Sequence, residues 1–155
     1  VDKAREQGAK ILTGGRAATS EDTTGQHGTG TTDLGQGVYY LPTIIDGATR
    51  EMDCVHDEAF GPTVTIETFT TEEEAIATAN DTEYGLVSYV MTENLDRAMT
   101  MSERLQAGMV GINVGVVSNP AAPFGGVKQS GLGREGGTTG IEEFLETKLV
   151  AIPVR

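Results

Sequence analysis

An acidic and an aromatic residue stand close together in the stretch DEAFGP, where Glu58 and Phe60 precede Gly61 and Pro62. The glycine and proline predict a rigid turn, and a strand is predicted directly after it. A carboxylate can accept hydrogen bonds from ribose hydroxyls, and a flat ring can pack against a nicotinamide. The other interpretation is a solvated glutamate beside a core phenylalanine, and these residues alone favour it.

A second group of polar residues follows an apolar run. Asn113 ends the run MVGIN, and Ser118 and Asn119 lie just beyond it, before the loop APFGGVKQSG. Polar side chains beyond the carboxyl end of a strand are well placed to orient a small substrate. These residues are therefore candidates for a substrate-binding site.

Three glycines, Gly131, Gly133 and Gly136, have the G-x-G-x-x-G spacing of dinucleotide-binding loops. Such a loop follows a buried parallel strand and opens a helix whose free N–H groups face a pyrophosphate. Here the preceding residues include Pro120 and Pro123, which are typical of a loop rather than a strand. These residues therefore favour an ordinary glycine-rich loop over a phosphate-binding site.

Nucleophiles and metal ligands are scarce in this chain. The single cysteine, Cys54, and the two histidines, His27 and His56, are few ligands for a metal site. The sequence contains neither a G-x-S-x-G elbow nor an H-E-x-x-H helix. We interpret Cys54 as structural and His27 as solvated, and we predict no catalytic residue and no metal site.

The elements that must hold these residues alternate between strands and helices. Strands are predicted at KILTGG, VYYLPTIID, TVTIETFT, LVSYVMT and MVGINVGVV. Helices are predicted at VDKAREQGA, EEEAIATAN, NLDRAMTMSERLQA and in GIEEFLE. Thr71 and Glu74 form a capping box that opens the second of these helices, and Pro42 indicates an edge strand or a bulge. The alternation predicts an α/β fold with a largely parallel sheet flanked by helices.

Two of the predicted helices have an apolar face. The third is predicted to bury Leu95, Ala98, Met99 and Leu105, and the last is predicted to bury Ile141, Phe144 and Leu145. An apolar strand, LVAIPV, follows the last helix. It is expected to complete the chain's own sheet or to add to the sheet of a neighbouring subunit.

Composition restricts the partners and the location. The 11 basic and 23 acidic residues give a net charge of −12, which argues against nucleic acid and anionic membrane surfaces as partners. One cysteine fits a reducing compartment. The sequence has no apolar run of membrane-spanning length and no signal-peptide pattern at its start, so we expect a cytoplasmic protein.

Several ordered motifs carry a family resemblance. The stretches DEAFGP, NDTEYGL, AGMVGIN and APFGGVKQSGLGREGG resemble the C-terminal part of the aldehyde dehydrogenase superfamily. The stretch from VSNPAAPFGG to EEFLETK is most similar to the succinate-semialdehyde dehydrogenase branch. The resemblance covers the whole chain except a Gly- and Thr-rich stretch between residues 14 and 37.

The resemblance implies roles for particular residues. Glu58 matches the glutamate that binds the nicotinamide-ribose hydroxyls, and Phe60 the aromatic beside the nicotinamide of NAD or NADP. Ser118 matches the position that binds the distal carboxylate of succinate semialdehyde, and Phe124 belongs to the same substrate loop. The last strand matches a segment that pairs with a neighbouring subunit, which implies a homo-oligomer.

The resemblance also implies a division of the chain. Residues 1–112 would be part of the catalytic, thiol-bearing domain without its nucleophile. Residues 113–137 would be the substrate loop and a connection, and residues 138–155 a helix and an oligomerisation strand.

The family's nucleophilic cysteine and catalytic glutamate would lie upstream of the residues present here, and Cys54 does not stand in the nucleophile's motif. We therefore expect a C-terminal fragment of an NAD(P)-dependent aldehyde dehydrogenase that is inactive alone. The alternative is a non-catalytic assembly module that binds a longer dehydrogenase subunit.

Overall fold

The computed structural model describes residues 1–22 and 33–154. The strands in these residues are β1 (Lys10–Thr13), β2 (Thr43–Asp46), β3 (Thr63–Ile66), β4 (Tyr84–Gly85), β5 (Val87–Val90), β6 (Met109–Ile112) and β7 (Val127–Lys128). The α-helices are α1 (Asp2–Glu6), α2 (Asp53–His56), α3 (Glu72–Asn80) and α4 (Leu95–Arg104), and 3₁₀ helices cover Leu34–Gln36 and Gly140–Phe144. The chain divides into two compact units, Val1–Thr68 and Phe69–Arg155. The predicted solvated histidine, His27, lies outside the described residues.

The first unit is built on a three-stranded sheet in which β2 is central. β1 pairs with β2 antiparallel and β3 pairs with β2 parallel. Ala4 of α1 packs on Ile45 of β2, which is fully buried, together with Ala9 and Met52. An ion pair between Lys3 and Asp53 joins α1 to α2.

Pro42 does not mark an edge strand, so that prediction was wrong. It lies immediately before the first residue of the central strand β2, where its missing N–H removes no hydrogen bond from the ladder. The irregularity of this sheet lies instead in β1, between Ile11 and Thr13.

The second unit contains two strand pairs, β5 with β6 in parallel and β4 with β7 antiparallel. Its core consists of Ile76 of α3 with Met101 and Leu105 of the α4 region, packed against Val90 of β5 and Val110 of β6. The two helices therefore pack together against the parallel pair.

The prediction of a largely parallel sheet is confirmed only in part. Of the four strand pairings among the described residues, β2–β3 and β5–β6 are parallel, whereas β1–β2 and β4–β7 are antiparallel. A parallel pair needs a crossover connection, which α2 and α4 supply. Within the described residues the pairings belong to three separate small sheets, and none of these is a single large parallel sheet.

The start of α3 confirms the prediction from the capping box. The Thr71 hydroxyl accepts a hydrogen bond of 3.2 Å from the Glu74 N–H, and the Glu74 carboxylate accepts one of 2.8 Å from the Thr70 N–H. The first contact pairs a donor that the helix terminus leaves unsatisfied, and the second connects Glu74 to the residue before the N-cap. The helix spans the predicted residues.

The buried side of α4 differs from the prediction. Ala98, Met101 and Leu105 are buried, whereas Leu95 is 74% exposed and Met99 is 56% exposed. At about 100° per residue, Met99 lies roughly a third of a turn from the centre of the buried side. The packing of α4 against β5, β6 and α3 selected that side.

The C-terminal segment also differs from the prediction. Residues 140–144 form a 3₁₀ helix, and the side chains of Ile141, Phe144 and Leu145, predicted to be buried, are exposed. Residues 148–154 pair with no other strand in the described part of the chain. A five-residue 3₁₀ helix is too short to present a continuous apolar face, and this one has no buried residue.

Candidate functional site

A tight turn between α2 and β3 carries Glu58 and Phe60. The Gly61 N–H donates to the Ala59 carbonyl at 2.9 Å, and the Thr63 N–H donates to the Gly61 carbonyl at 2.8 Å. The Pro62 carbonyl accepts a hydrogen bond of 2.7 Å from the N–H at the start of β2. The turn predicted from the glycine and proline is therefore present, and the first sheet anchors it.

Both candidate side chains on this turn are exposed. The Phe60 ring is 95% exposed, so the interpretation of Phe60 as a core residue was wrong. The Glu58 carboxylate forms no hydrogen bond with the described residues. One carboxylate and one aromatic face thus stand two residues apart, available to a ligand.

The helix that precedes the turn is fixed to α1. The hydrogen bond from the Lys3 ammonium, with its charge, holds the pKa of Asp53 below its ordinary value. In the same helix, Cys54 is half-buried and packs against the core of the first unit. This packing favours the structural interpretation of Cys54. The Nδ1 atom of His56 lies 3.1 Å from a carboxylate oxygen of Asp57.

The polar residues after β6 have different roles. The side-chain amide of Asn113 bonds both backbone groups of Thr92, and the side-chain Oδ1 of Asn119 accepts a hydrogen bond of 2.9 Å from the Ala121 N–H. Ser118 is exposed, and no described residue shares a hydrogen bond with its hydroxyl. Of the three residues proposed to orient a substrate, Ser118 is the one whose side chain forms no hydrogen bond with the described residues.

Phe124 lies farther along the same loop, where it is half-buried. Its N–H donates to the Glu135 carbonyl at 2.7 Å, and the Glu135 N–H donates back to the Phe124 carbonyl at 2.8 Å. The loop and the glycine-rich connection are thereby paired. Glu58 and Phe60 thus belong to the first unit, and Ser118 and Phe124 to the second.

Glycines in and beside this loop allow it to approach the strands closely. A Cβ atom on Gly108, just before β6, would lie 2.1 Å from the Gly125 carbonyl oxygen. One on Gly126 would lie 2.6 Å from the Cβ of Ser130. The paired glycines that follow Phe124 in the sequence were the available signal for such close backbone contact.

The G-x-G-x-x-G glycines agree with the interpretation as a connection. Gly131, Gly133 and Gly136 all have left-handed backbone conformations. They follow the two-residue antiparallel strand β7, not a buried parallel strand, and lead into a 3₁₀ helix. This arrangement does not direct a row of helical N–H groups at a pyrophosphate.

An open cavity of about 530 Å³ lies in the second unit beside these glycines. Its lining includes the apolar side chains of Leu132 and Phe144 and the charged side chains of Arg134 and Glu143. Arg134 is used internally, because its Nη1 donates to the carbonyls of Gly126 and Gly133, both at 2.7 Å. None of the predicted site residues lines this cavity.

Neither a metal-binding cluster nor a membrane-spanning helix occurs in the part of the chain that the structure describes. Within residues 1–22 and 33–154, no group of three or more His, Cys, Asp or Glu side chains is arranged to hold a metal ion. The helices of these same residues are too short and too polar to cross a membrane.

Comparison with known proteins gives a consistent result. Residues 1–150 match the aldehyde dehydrogenase family. A succinate semialdehyde dehydrogenase of Acinetobacter baylyi is 45% identical over 96% of this chain and 28% of its own length. A 3-sulfolactaldehyde dehydrogenase of Pseudomonas putida is 40% identical over 98% of this chain and 28% of its own length.

A solved structure is similar over the same region. The crystal structure of a betaine aldehyde dehydrogenase from Staphylococcus aureus in complex with NAD⁺ superimposes with a TM-score of 0.83 at 40% identity. The match covers 95% of this chain and 27% of that one. The chain therefore spans little more than a quarter of the length of the relatives it matches.

Proposed function

Since the chain belongs to the aldehyde dehydrogenase family, we propose that it supplies part of the cofactor site and part of the substrate site for NAD(P)-dependent oxidation of an aldehyde to a carboxylic acid. One observation carries this proposal: an unpaired carboxylate and a nearly fully exposed aromatic ring share one anchored turn at Glu58 and Phe60.

In the proposed cofactor site, the Glu58 carboxylate accepts hydrogen bonds from the ribose hydroxyls and the Phe60 ring packs beside the nicotinamide. The bound nicotinamide would accept the hydride. Support comes from the exposure of both side chains and from the similar enzyme that was crystallised with NAD⁺. Either NAD or NADP fits these contacts, because neither contact involves the adenosine 2′ position.

In the proposed substrate site, the Ser118 hydroxyl donates a hydrogen bond to the distal carboxylate of succinate semialdehyde, and Phe124 forms part of the pocket wall. The exposed hydroxyl without a described partner supports this role. The names of two relatives agree with it, because succinate semialdehyde and 3-sulfolactaldehyde both carry an anionic group away from the aldehyde.

The 155-residue chain is proposed to be inactive by itself. The reaction needs a thiolate that attacks the aldehyde, and the only cysteine, Cys54, packs against the core of the first unit. The purified chain should not reduce NAD or NADP with succinate semialdehyde, as followed by absorbance of the reduced cofactor. Turnover that Cys54→Ala abolishes would overturn this part of the proposal.

Binding of the cofactor tests the proposed site directly. Titration of NAD into the ¹⁵N-labelled chain should shift the amide resonances of residues 57–61 and of Thr63, and Glu58→Gln or Phe60→Ala should weaken the effect. Glu6→Gln is the matched control, since Glu6 is also exposed and lies in the first unit. Equal binding by Glu58→Gln and by the unmodified chain would remove the proposed cofactor site.

A second candidate function is that of an assembly module that binds a copy of itself or a longer dehydrogenase subunit. The observation that favours it is the apolar end of the chain, where Leu149, Val150, Ile152 and Val154 are all largely exposed. A strand added to a neighbouring sheet would cover these side chains. Light scattering should then show an oligomer that becomes a monomer when Val150 and Ile152 are changed to Asp.

A further inference from the structure

Two residues at the ends of the substrate loop share an unusual backbone conformation. Among the described residues, Asn113 (φ 52°) and Lys128 (φ 55°) are the non-glycine residues in the left-handed region. Such a conformation is costly for a residue with a side chain, and it persists only where the surroundings fix it. The loop between them carries Ser118 and Phe124.

Asn113 is held by the edge of the neighbouring strand. Its Oδ1 accepts a hydrogen bond of 2.8 Å from the Thr92 N–H, and its Nδ2 donates one of 2.8 Å to the Thr92 carbonyl. Its own N–H donates to the Val90 carbonyl at 2.9 Å, which extends the pairing of β5 and β6 by one residue. The side chain therefore replaces the next rung of the ladder at the point where the loop leaves the strand.

Lys128 is held by the end of α3. Its ammonium donates to the carbonyl of Asn80 at 2.8 Å and to that of Thr82 at 3.0 Å. Asn80 is the last residue of α3, where the negative end of the helix dipole favours a cation, and Thr82 lies two residues beyond it.

Asn80 in turn connects the end of α3 to the end of α4. Its side-chain amide donates to the Arg104 carbonyl at 2.9 Å and accepts from the Gln106 N–H at 2.8 Å, at the end of α4. The far end of the loop is thus connected through Lys128 and Asn80 to the C-termini of both helices.

We propose that Asn113 and Lys128 are positioning residues that fix the two ends of the loop 114–127, and thereby set where Ser118 and Phe124 stand relative to the substrate. Neither side chain touches the substrate. Each acts through the backbone that it holds, and near the far end of the loop Gly125 packs against Gly108. The substrate part of this inference rests on the proposed function of Ser118 and Phe124.

Amide hydrogen exchange of the ¹⁵N-labelled chain tests the positioning role without any assumption about function. The reporters are the amides of Ala122 and Phe124, which donate within the loop and across to Glu135. In Asn113→Ala and in Lys128→Met, both amides should exchange on the order of tenfold faster, while the Ala98 amide of α4 stays unchanged. Unchanged exchange at Ala122 and Phe124 in both variants would overturn the proposal.

Conservative variants separate the side chain from the backbone conformation. Asn113→Gly accepts the left-handed backbone but lacks the amide, so it should exchange as fast as Asn113→Ala. Asn113→Asp keeps an acceptor for the Thr92 N–H and should restore part of the protection. Full protection in Asn113→Gly would overturn the role of the side chain. Thr71→Ala is the control for general destabilisation of the same unit, and it should leave the ratio of loop to Ala98 exchange unchanged.

Succinate serves as the probe for the substrate part. Succinate should shift the Ser118 amide resonance in the unmodified chain, and Asn113→Ala should weaken this shift. Thr71→Ala, which lowers stability without touching the loop, should leave the shift unchanged. If the unmodified chain shows no succinate shift, the role of Ser118 is overturned. Faster loop exchange in the variants would then still confirm that Asn113 and Lys128 position the loop. A full succinate shift in Asn113→Ala would overturn the proposal that Asn113 positions Ser118 for the substrate.

Discussion

The hydroxyl of Thr43 accepts a hydrogen bond of 2.8 Å from the backbone N–H of Gly15. The same hydroxyl donates to the Leu41 carbonyl at 2.7 Å, and Thr43 is only 1% exposed. One side chain thus satisfies two backbone groups at the start of the central strand, where neither group has a strand partner. The hydroxyl fixes the segment after β1 against β2.

We expect Thr43→Val to destabilise the chain by roughly 1–3 kcal/mol, because valine keeps the shape but leaves the Gly15 N–H and the Leu41 carbonyl without their partner. Urea unfolding followed by circular dichroism measures the change. Thr43→Ser keeps the hydroxyl and should cost about 1 kcal/mol or less, from the loss of one methyl group. A valine variant as stable as the serine variant would contradict this expectation.

The contact between Gly108 and Gly125 predicts a steric effect. In Gly108→Ala the new methyl group would meet the Gly125 carbonyl oxygen at 2.1 Å, and this atom belongs to the backbone and cannot rotate away. We expect a loss of roughly 1–3 kcal/mol, as for overpacked cores. Gly115→Ala, in the loop that contains Gly125, is the matched control, because a Cβ atom at Gly115 would have no atom within 4 Å. Its effect on urea unfolding should stay within about 0.5 kcal/mol.

Removing the N-cap of α3 should lower the stability of the chain. Thr71→Ala removes the acceptor for the Glu74 N–H and should cost about 1 kcal/mol. Thr71→Ser keeps the oxygen and should recover most of that stability. Both values come from the same urea titration, and an alanine variant equal to the serine variant would show that the cap contributes nothing.

The stability of the chain should fall at acid pH, because two of its carboxylates are paired with arginines. Hydrogen bonds from Arg104 to Glu73, at 2.6 and 2.5 Å, hold the pKa of Glu73 below its ordinary 4.5. Because the pKa is lower in the folded state, the pair stabilises the fold above the ordinary value, and this contribution is lost as the pH falls through the folded value. The hydrogen bond from Arg16 likewise lowers the pKa of Asp22.

The urea midpoint should therefore fall between about pH 5 and pH 3, and Glu73→Gln should reduce that fall. The control is Glu103→Gln, an exposed glutamate of α4 without an ion pair among the described residues. An identical acid profile for Glu73→Gln and Glu103→Gln would show that the Glu73–Arg104 pair is not responsible.

Local sequence predicted those parts of the fold that neighbouring residues control. The start of α3 depends on the side chain of Thr71 and an N–H three residues away, and the turn at Glu58 and Phe60 depends on Gly61 and Pro62. The alternation in β3 predicted a strand, but Val64 and Ile66 are 57% and 42% exposed. Periodicity identifies the two sides of a strand and leaves open which side is covered.

The sequence by itself determined the family, the start of α3, the turn at Glu58 and Phe60, and the residue types available for a cofactor and an anionic aldehyde, but it did not predict α2, β4 or β7. The tertiary structure alone decided that Asn113 and Lys128 adopt left-handed conformations, that the Asn113 side chain bonds the backbone of Thr92, and that Gly108 must lack a side chain. The physical reason is that each of these features depends on a contact between residues far apart in the chain. Such contacts exist only once the strands and helices have packed together.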